Sequence, residues 1–150
     1  MTKRHQPHLT IAIMAFLLSF AACKKDKSES IPEMKKLYGT WEWVQSSGGF
    51  GGGGSTPSSV GYTQTLEFNK NGTMKRFKNE LEESQLFFSI TKGSTIYSSG
   101  NATLINYTSN ALSHSHDQLT TQSVSFGGQD TLFLNDECYD CYGYVYIRKK

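Results

Sequence analysis

Tyr62-Thr63-Gln64-Thr65-Leu66-Glu67-Phe68 alternates Tyr62, Gln64, Leu66 and Phe68 against Thr63, Thr65 and Glu67. Successive strand side chains point to opposite faces, so this run puts aromatic and aliphatic groups on one face and short polar groups on the other. Asn69-Lys70-Asn71-Gly72 follows, and Thr73 to Asn79 returns. Asn-Gly between two alternating runs is the strongest short-range signal for a β-hairpin.

The same period continues on both sides. Upstream, Thr40 to Ser46 alternates Trp41, Trp43 and Gln45 against Glu42 and Val44. Downstream, Ser84 to Thr91 places Leu86, Phe88 and Ile90 on one face, before a turn expected at Lys92-Gly93-Ser94. Thr95 to Ser98, Thr103 to Thr108, Thr120 to Phe126, Asp130 to Asn135 and Gly143 to Arg148 read as further strands. Ser99-Gly100-Asn101 and Gly127-Gly128 mark turns between them. Eight or nine strands with short local connections predict an all-β fold, an antiparallel up-and-down β-barrel. A barrel of about eight strands has an interior that side chains fill, or that holds one small ligand. Its expected inward face is Trp41, Trp43, Leu66, Phe68, Leu86, Phe88, Ile90, Val124, Phe126, Leu132, Leu134, Tyr144 and Tyr146.

One helix is expected, from Ile31 to Tyr38. Ser30-Ile31-Pro32-Glu33 has capping-box spacing, Pro32 suits a first turn, and Gly39 is a fitting stop.

The first 22 residues read as an address. A cationic head with Lys3 and Arg4 precedes the apolar run Leu9 to Phe20. Twelve helical residues rise about 18 Å, against a hydrocarbon core of about 30 Å, so the run is a signal peptide rather than a stable span. Removing it leaves 13 Lys+Arg against 13 Asp+Glu, and no basic field for nucleic acid. Phe20-Ala21-Ala22-Cys23 resembles the lipobox of bacterial lipoproteins, with Phe20 where Leu is usual. The resemblance implies cleavage before Cys23 and acylation, with palmitate-type chains, of its thiol and often of its new amine. One acyl chain anchors marginally, whereas two or more anchor stably. Lys24 to Ser30 is polar and charged and reads as a tether, so residues 23–30 link the lipid to a domain over 31–150. The expected address is the outer membrane, facing either the periplasm or the cell surface.

Leu37-Tyr38-Gly39-Thr40-Trp41, after a short helix, and Tyr144-Val145-Tyr146-Ile147-Arg148 at the end resemble the signature of lipocalins and of small lipocalin-like bacterial lipoproteins. The resemblance covers about residues 31–150 and implies that Arg148 lies over Trp41, with Gly39 beside them, closing first strand on last. A guanidinium over an indole gains about 2 kcal/mol when desolvated.

Candidate chemistry is sparse. Gly48 to Gly54, with flanking serines, lacks the Gly-Lys-Ser/Thr of a phosphate loop and reads as a flexible connection or a lid over the mouth. Cys138 and Cys141 form the one pair beyond Cys23, and an exported chain favours a local disulfide. His114 and His116 share a face if extended, as metal ligands do, but the segment also reads as a polar loop. Asp136, Glu137 and Asp140 have no calcium-loop spacing and read as a solvated turn. No serine sits in a G-x-S-x-G elbow, so a non-enzymatic protein without metal or cofactor is expected. The first functional expectation is a lipid-anchored barrel for a small apolar ligand, its pocket drawn from Trp43, Phe68, Phe88, Tyr144 and Tyr146. The second is a filled barrel whose loops engage an envelope protein, a glycan or a host factor.

Overall fold

The structure is a computed structural model that describes residues 32–109 and 121–150. Helix α1 (Pro32–Leu37) precedes strands β1 (Gly39–Gly48) and β2 (Gly53–Ser55) and a one-turn helix α2 (Pro57–Val60). Then come β3 (Gln64–Phe68), β4 (Thr73–Lys78), β5 (Leu81–Thr95), β6 (Ser98–Ser109), β7 (Thr121–Gly127), β8 (Thr131–Asp136) and β9 (Tyr142–Arg148). Every neighbour pair is antiparallel, and β1 pairs with β9, so β1 and β3 to β9 close an eight-stranded barrel with β2 as an added strand.

Three expectations are corrected. The turn at Lys92-Gly93-Ser94 does not form, because β5 runs unbroken to Thr95 and pairs Lys92 with Thr103 and Gly93 with Ala102. A register shift between Gly93 and Thr95 absorbs the irregular residues that looked like a turn; the chain reverses instead at Ile96–Tyr97, so the expected strand Thr95–Ser98 is the hairpin's tip and the expected turn Ser99-Gly100-Asn101 lies inside β6. The serine- and glycine-rich stretch is not a plain connection. Gly53–Ser55 folds back onto Ser46–Gly48, and Thr56 caps α2 with Ser59 in a reciprocal capping box. Glu33 Oε1 accepts from Lys92 Nζ at 3.0 Å, while the capping partner expected for it, Ser30, lies outside the described residues.

β1 is shared. Its first half, Gly39 to Glu42, pairs with β3, whereas Ser46 to Gly48 pairs with β2. β9 runs along its other side from Trp41 to Gly48. Gly48 needs its absence of side chain, since its φ is +138° and a Cβ there would run into the carbonyl of Cys141.

All 13 residues expected to face inward are buried or packed against the core. The core also takes Leu37 from α1, with Met74, Ile105 and Tyr107. Phe68 meets Phe88 edge to face at 5.3 Å, a geometry that suits the ring quadrupole.

Candidate functional site

The antiparallel order gives the barrel two distinct ends. At the helix end lie α1, the β3–β4 and β7–β8 turns and the C-terminus, while the tip of the long β5–β6 hairpin is held to the β8–β9 loop, Ile96 N donating to Glu137 Oε2. At the other end, the mouth, lie the β1–β3 connection with β2 and α2, the β4–β5 turn and the β8–β9 loop.

The helix end is locked by Trp41 and Arg148, which meet as the sequence pattern implied. The Arg148 guanidinium carbon sits 4.1 Å from the Trp41 ring centre. Arg148 Nη2 donates to Lys36 O at 2.6 Å, Nη1 to Tyr38 O at 3.0 Å and Nε to Gln129 O at 3.2 Å. Trp41 Nε1 donates to Leu37 O at 2.7 Å. One cation therefore satisfies carbonyls at the end of α1 and in the β7–β8 turn, where a helix C-terminus welcomes positive charge. Gly39 makes room for it: its φ is +123°, and a Cβ there would lie 2.8 Å from Arg148 Nη1.

The inward faces change character toward the mouth. β3 runs from Gln64 at the mouth through Leu66 to Phe68. β5 runs from Ser84 through Leu86 and Phe88 to Ile90. β7 runs from Gln122 to Val124, and β8 reaches Asp136 after Leu132 and Leu134. On β4, Arg76 lies in register with the inward Leu66 and Ser84, one inward position above Met74.

These polar side chains are connected. Tyr107 Oη donates to Gln122 Oε1 at 2.9 Å, and Gln122 Nε2 donates to Asp136 Oδ1 at 2.8 Å. Tyr144 Oη donates to Asp136 Oδ2 at 3.3 Å, and Tyr146 Oη to Gln64 Oε1 at 3.3 Å. Burial holds the Tyr107 and Tyr146 hydroxyls far above the ordinary tyrosine range. Tyr144 is pushed up to about 12, first by burial and then by the Asp136 charge. The Arg76 cation opposes the rise at all three hydroxyls.

Aromatic rings wall this layer. Trp43 stacks on Tyr62 with centroids 5.9 Å apart, and Lys78 Nζ lies 4.4 Å from the Tyr62 ring centre. Tyr142, Tyr144 and Tyr146 form a ladder down β9, at 6.4 and 6.5 Å between successive rings. Trp43 Nε1 and Ser84 Oγ are both buried and have no hydrogen-bond partner.

The five expected pocket residues therefore separate. Trp43, Tyr144 and Tyr146 belong to the mouth layer, while Phe68 and Phe88 pack against each other in the core. Sequence reasoning missed Tyr62, Gln64, Arg76, Ser84, Tyr107 and Gln122. The available signal was a polar residue at the inward period near the mouth end of a strand.

Cys138 and Cys141 are bonded in the β8–β9 loop, with Cα atoms 5.6 Å apart. Gly49 N donates to Cys141 O at 3.3 Å, tying the glycine hairpin to that loop. Asp136 accepts from Gln122 and Tyr144, and Glu137 Oε2 accepts from Ile96 N at 2.9 Å, so these carboxylates serve the barrel rather than a bare solvated turn. Among the described residues, no three or more His, Cys, Asp or Glu come together in a metal-binding group. Cys23, Ser30, His114 and His116 lie outside the described residues. No family model, no curated protein and no solved structure matches this chain.

Proposed function

We propose that the chain is a non-enzymatic, lipid-anchored envelope lipoprotein whose lipocalin-like barrel binds a small molecule at its mouth. The anchoring part rests on the short apolar run and Phe20-Ala21-Ala22-Cys23, which place an acylated Cys23 ahead of the polar tether. The lipocalin likeness is supported by Gly39, Trp41 and Arg148, which make the contacts that signature requires.

One observation carries the binding reading: toward the mouth the inward face turns from apolar side chains to a hydrogen-bonded layer of Tyr107, Gln122, Asp136, Tyr144 and Tyr146 beside stacked aromatic rings. Filling a barrel for stability alone calls for apolar side chains throughout, because a buried polar group without a partner costs about 1–3 kcal/mol. Binding sites, in contrast, join aromatic walls to a few fixed polar groups. The hydroxyl and amide groups here narrow the expected ligand from a purely apolar molecule to one that also hydrogen-bonds.

Native mass spectrometry of the full chain, extracted from its own membranes, tests this. A small molecule released on activation is the expected result; a bare protein mass from several growth conditions would sink the reading. In the same preparation, Cys23→Ser is expected to move the chain from the membrane to the soluble fraction.

A second reading has its own support. Phe50 is 99% exposed, Leu81 75% and Tyr139 78%, and all three stand on connections at the mouth. Such a rim suits contact with a protein partner in the envelope.

A further inference from the structure

We infer that the helix end of the barrel docks on an anionic phospholipid surface, the one that holds the acyl anchor, and that the mouth therefore points away from the membrane. The inference rests on the lipid-anchor reading above. It comes from the way the fold sorts charge along the barrel axis. The described Lys and Arg balance the described Asp and Glu in number, yet the two signs collect at opposite ends.

At the helix end, Lys35 and Lys36 on α1, Lys70 in the β3–β4 turn, and Lys149 and Lys150 beyond β9 are all exposed. Register brings them to one side. Gly39, at the foot of β1, pairs with Phe68 just before the Lys70 turn, and Lys149 N donates to Thr40 O at 2.9 Å. Carboxylates near this end already face cations. Glu33 lies 3.0 Å from Lys92, Asp130 lies 3.7 Å from Arg148, and Glu67 stands opposite Lys75 across β3 and β4. The five lysines are thus left as a basic face. The mouth has the opposite sign: Glu80 in the β4–β5 turn, Glu83 on β5 and Asp140 in the β8–β9 loop are exposed.

An anionic bilayer attracts lysines that come within a Debye length, about 8 Å at physiological salt, and repels carboxylates over the same range. With the signs at opposite ends, attraction and repulsion turn the barrel the same way. The chain itself supplies the proximity. Nine peptide steps lead from Cys23 to Pro32, where α1 begins, so even fully extended the link spans only about 30 Å. It joins the barrel at the basic end, and its own Lys24, Lys25 and Lys27 outnumber Asp26 and Glu29. An acidic protein or a nucleic acid would also meet these lysines, but neither is tied to this end by the chain. A basic patch beside an acyl chain is the pairing that turns marginal anchoring into stable anchoring.

The full chain, extracted from its own membranes, is returned to vesicles of phosphatidylcholine, alone or with about 30% phosphatidylglycerol. Its lysines are acetylated by a water-soluble reagent and read residue by residue by mass spectrometry, with Lys78 at the mouth as internal reference. Lys35, Lys36, Lys70 and Lys149 are expected to label about fivefold more slowly on the phosphatidylglycerol vesicles. The difference should vanish in about 0.5 M NaCl, where the Debye length falls to about 4 Å. A variant with Lys70→Glu and Lys149→Glu, both exposed and outside the strands, is expected to return Lys35 and Lys36 to the phosphatidylcholine rate, with its fold checked by circular dichroism. Protection undiminished in that variant overturns the inference. Flotation of the same vesicles separates docking from anchoring. A chain that floats with both lipids but labels alike in both keeps its anchor and overturns the docking. Equal slowing in both lipids that grows with the protein-to-lipid ratio assigns the face to a second copy and also overturns it. Flotation with phosphatidylglycerol alone upholds the docking and removes the anchor, and flotation with neither removes both.

Discussion

The helix end and the mouth are built from the same eight strands, yet they exclude water by different chemistry. At the helix end, Trp41, Phe68, Met74, Ile105 and Leu132 are at most 2% exposed, and one arginine ties the first strand, the last strand and α1 together. At the mouth, tyrosines, glutamines and an aspartate share a hydrogen-bonded layer, while buried polar atoms without a partner occur at both ends, Glu33 Oε2 on α1 and Trp43 Nε1, Ser84 Oγ and Glu137 Oε1 toward the mouth. Apolar burial stabilises without regard to direction, whereas polar burial holds only when geometry is right. The base is held by apolar packing and one arginine, whereas the mouth is held by a polar layer that depends on direction.

Deleting the base contact should separate the ends most sharply. Trp41→Ala removes a fully buried indole, its bond to Leu37 O and the seat of Arg148, and is expected to cost about 3–5 kcal/mol in urea unfolding. Arg148→Ala is expected to follow at about 2–3 kcal/mol, with Arg148→Lys recovering little because a single ammonium cannot reach three carbonyls in a planar fork. If Tyr146→Phe at the mouth destabilises as much as Trp41→Ala, the division between the ends fails.

How far this division was legible in the sequence depends on the residue. Period-two alternation placed 13 inward residues correctly, because an apolar side chain on the inner face has one destination, but it left out Met74, Ile105 and Tyr107, whose strands carry too few apolar residues to mark a face. Gly39, Trp41 and Arg148 were legible because their contact joins chain ends in a recurring pattern. Arg76 and Gln122 were not. In one dimension a polar residue at an inward period resembles a break in the strand, and only closure of the ring brings Gln122 against Asp136 and Tyr107. Lys92-Gly93-Ser94 failed for a related reason: turn-forming residues within a strand signal a bulge as readily as an end.

Alkaline titration sharpens the comparison next, because three raised tyrosine hydroxyls lie in the mouth layer. The hydroxyls of Tyr107, Tyr144 and Tyr146 titrate higher in the folded chain than the usual 10. The folded state therefore holds protons that the unfolded state releases, and stability present below pH 10 is lost as pH rises above it. Tyr144 alone should remove about 1–2 kcal/mol by pH 12, after discounting for its partial exposure. Urea midpoints falling steeply above pH 10, with Tyr144→Phe blunting the fall, are expected. Midpoints flat to pH 12 would break the assignment of these hydroxyls to a buried layer.

The smallest effect is expected from the disulfide. Cys138 and Cys141 close a loop of only four residues, and chain entropy allows about 2 kcal/mol at most for so short a ring. A Cys138→Ser, Cys141→Ser double variant should lose about 1–2 kcal/mol while keeping the strand signal in circular dichroism. A loss as large as that of Trp41→Ala would show that the mouth loops, rather than the base, hold the barrel together.

The added strand β2 has a consequence for life at high local concentration. Beyond Glu42, β1 leaves β3 and would there present a row of bare amides and carbonyls to neighbouring molecules. Gly53–Ser55 covers that row, and its own outer margin is three residues long and glycine-rich, too short and too pliant to template a foreign strand. The hairpin that looked like slack in the chain thus shields this stretch of strand edge from a neighbouring copy.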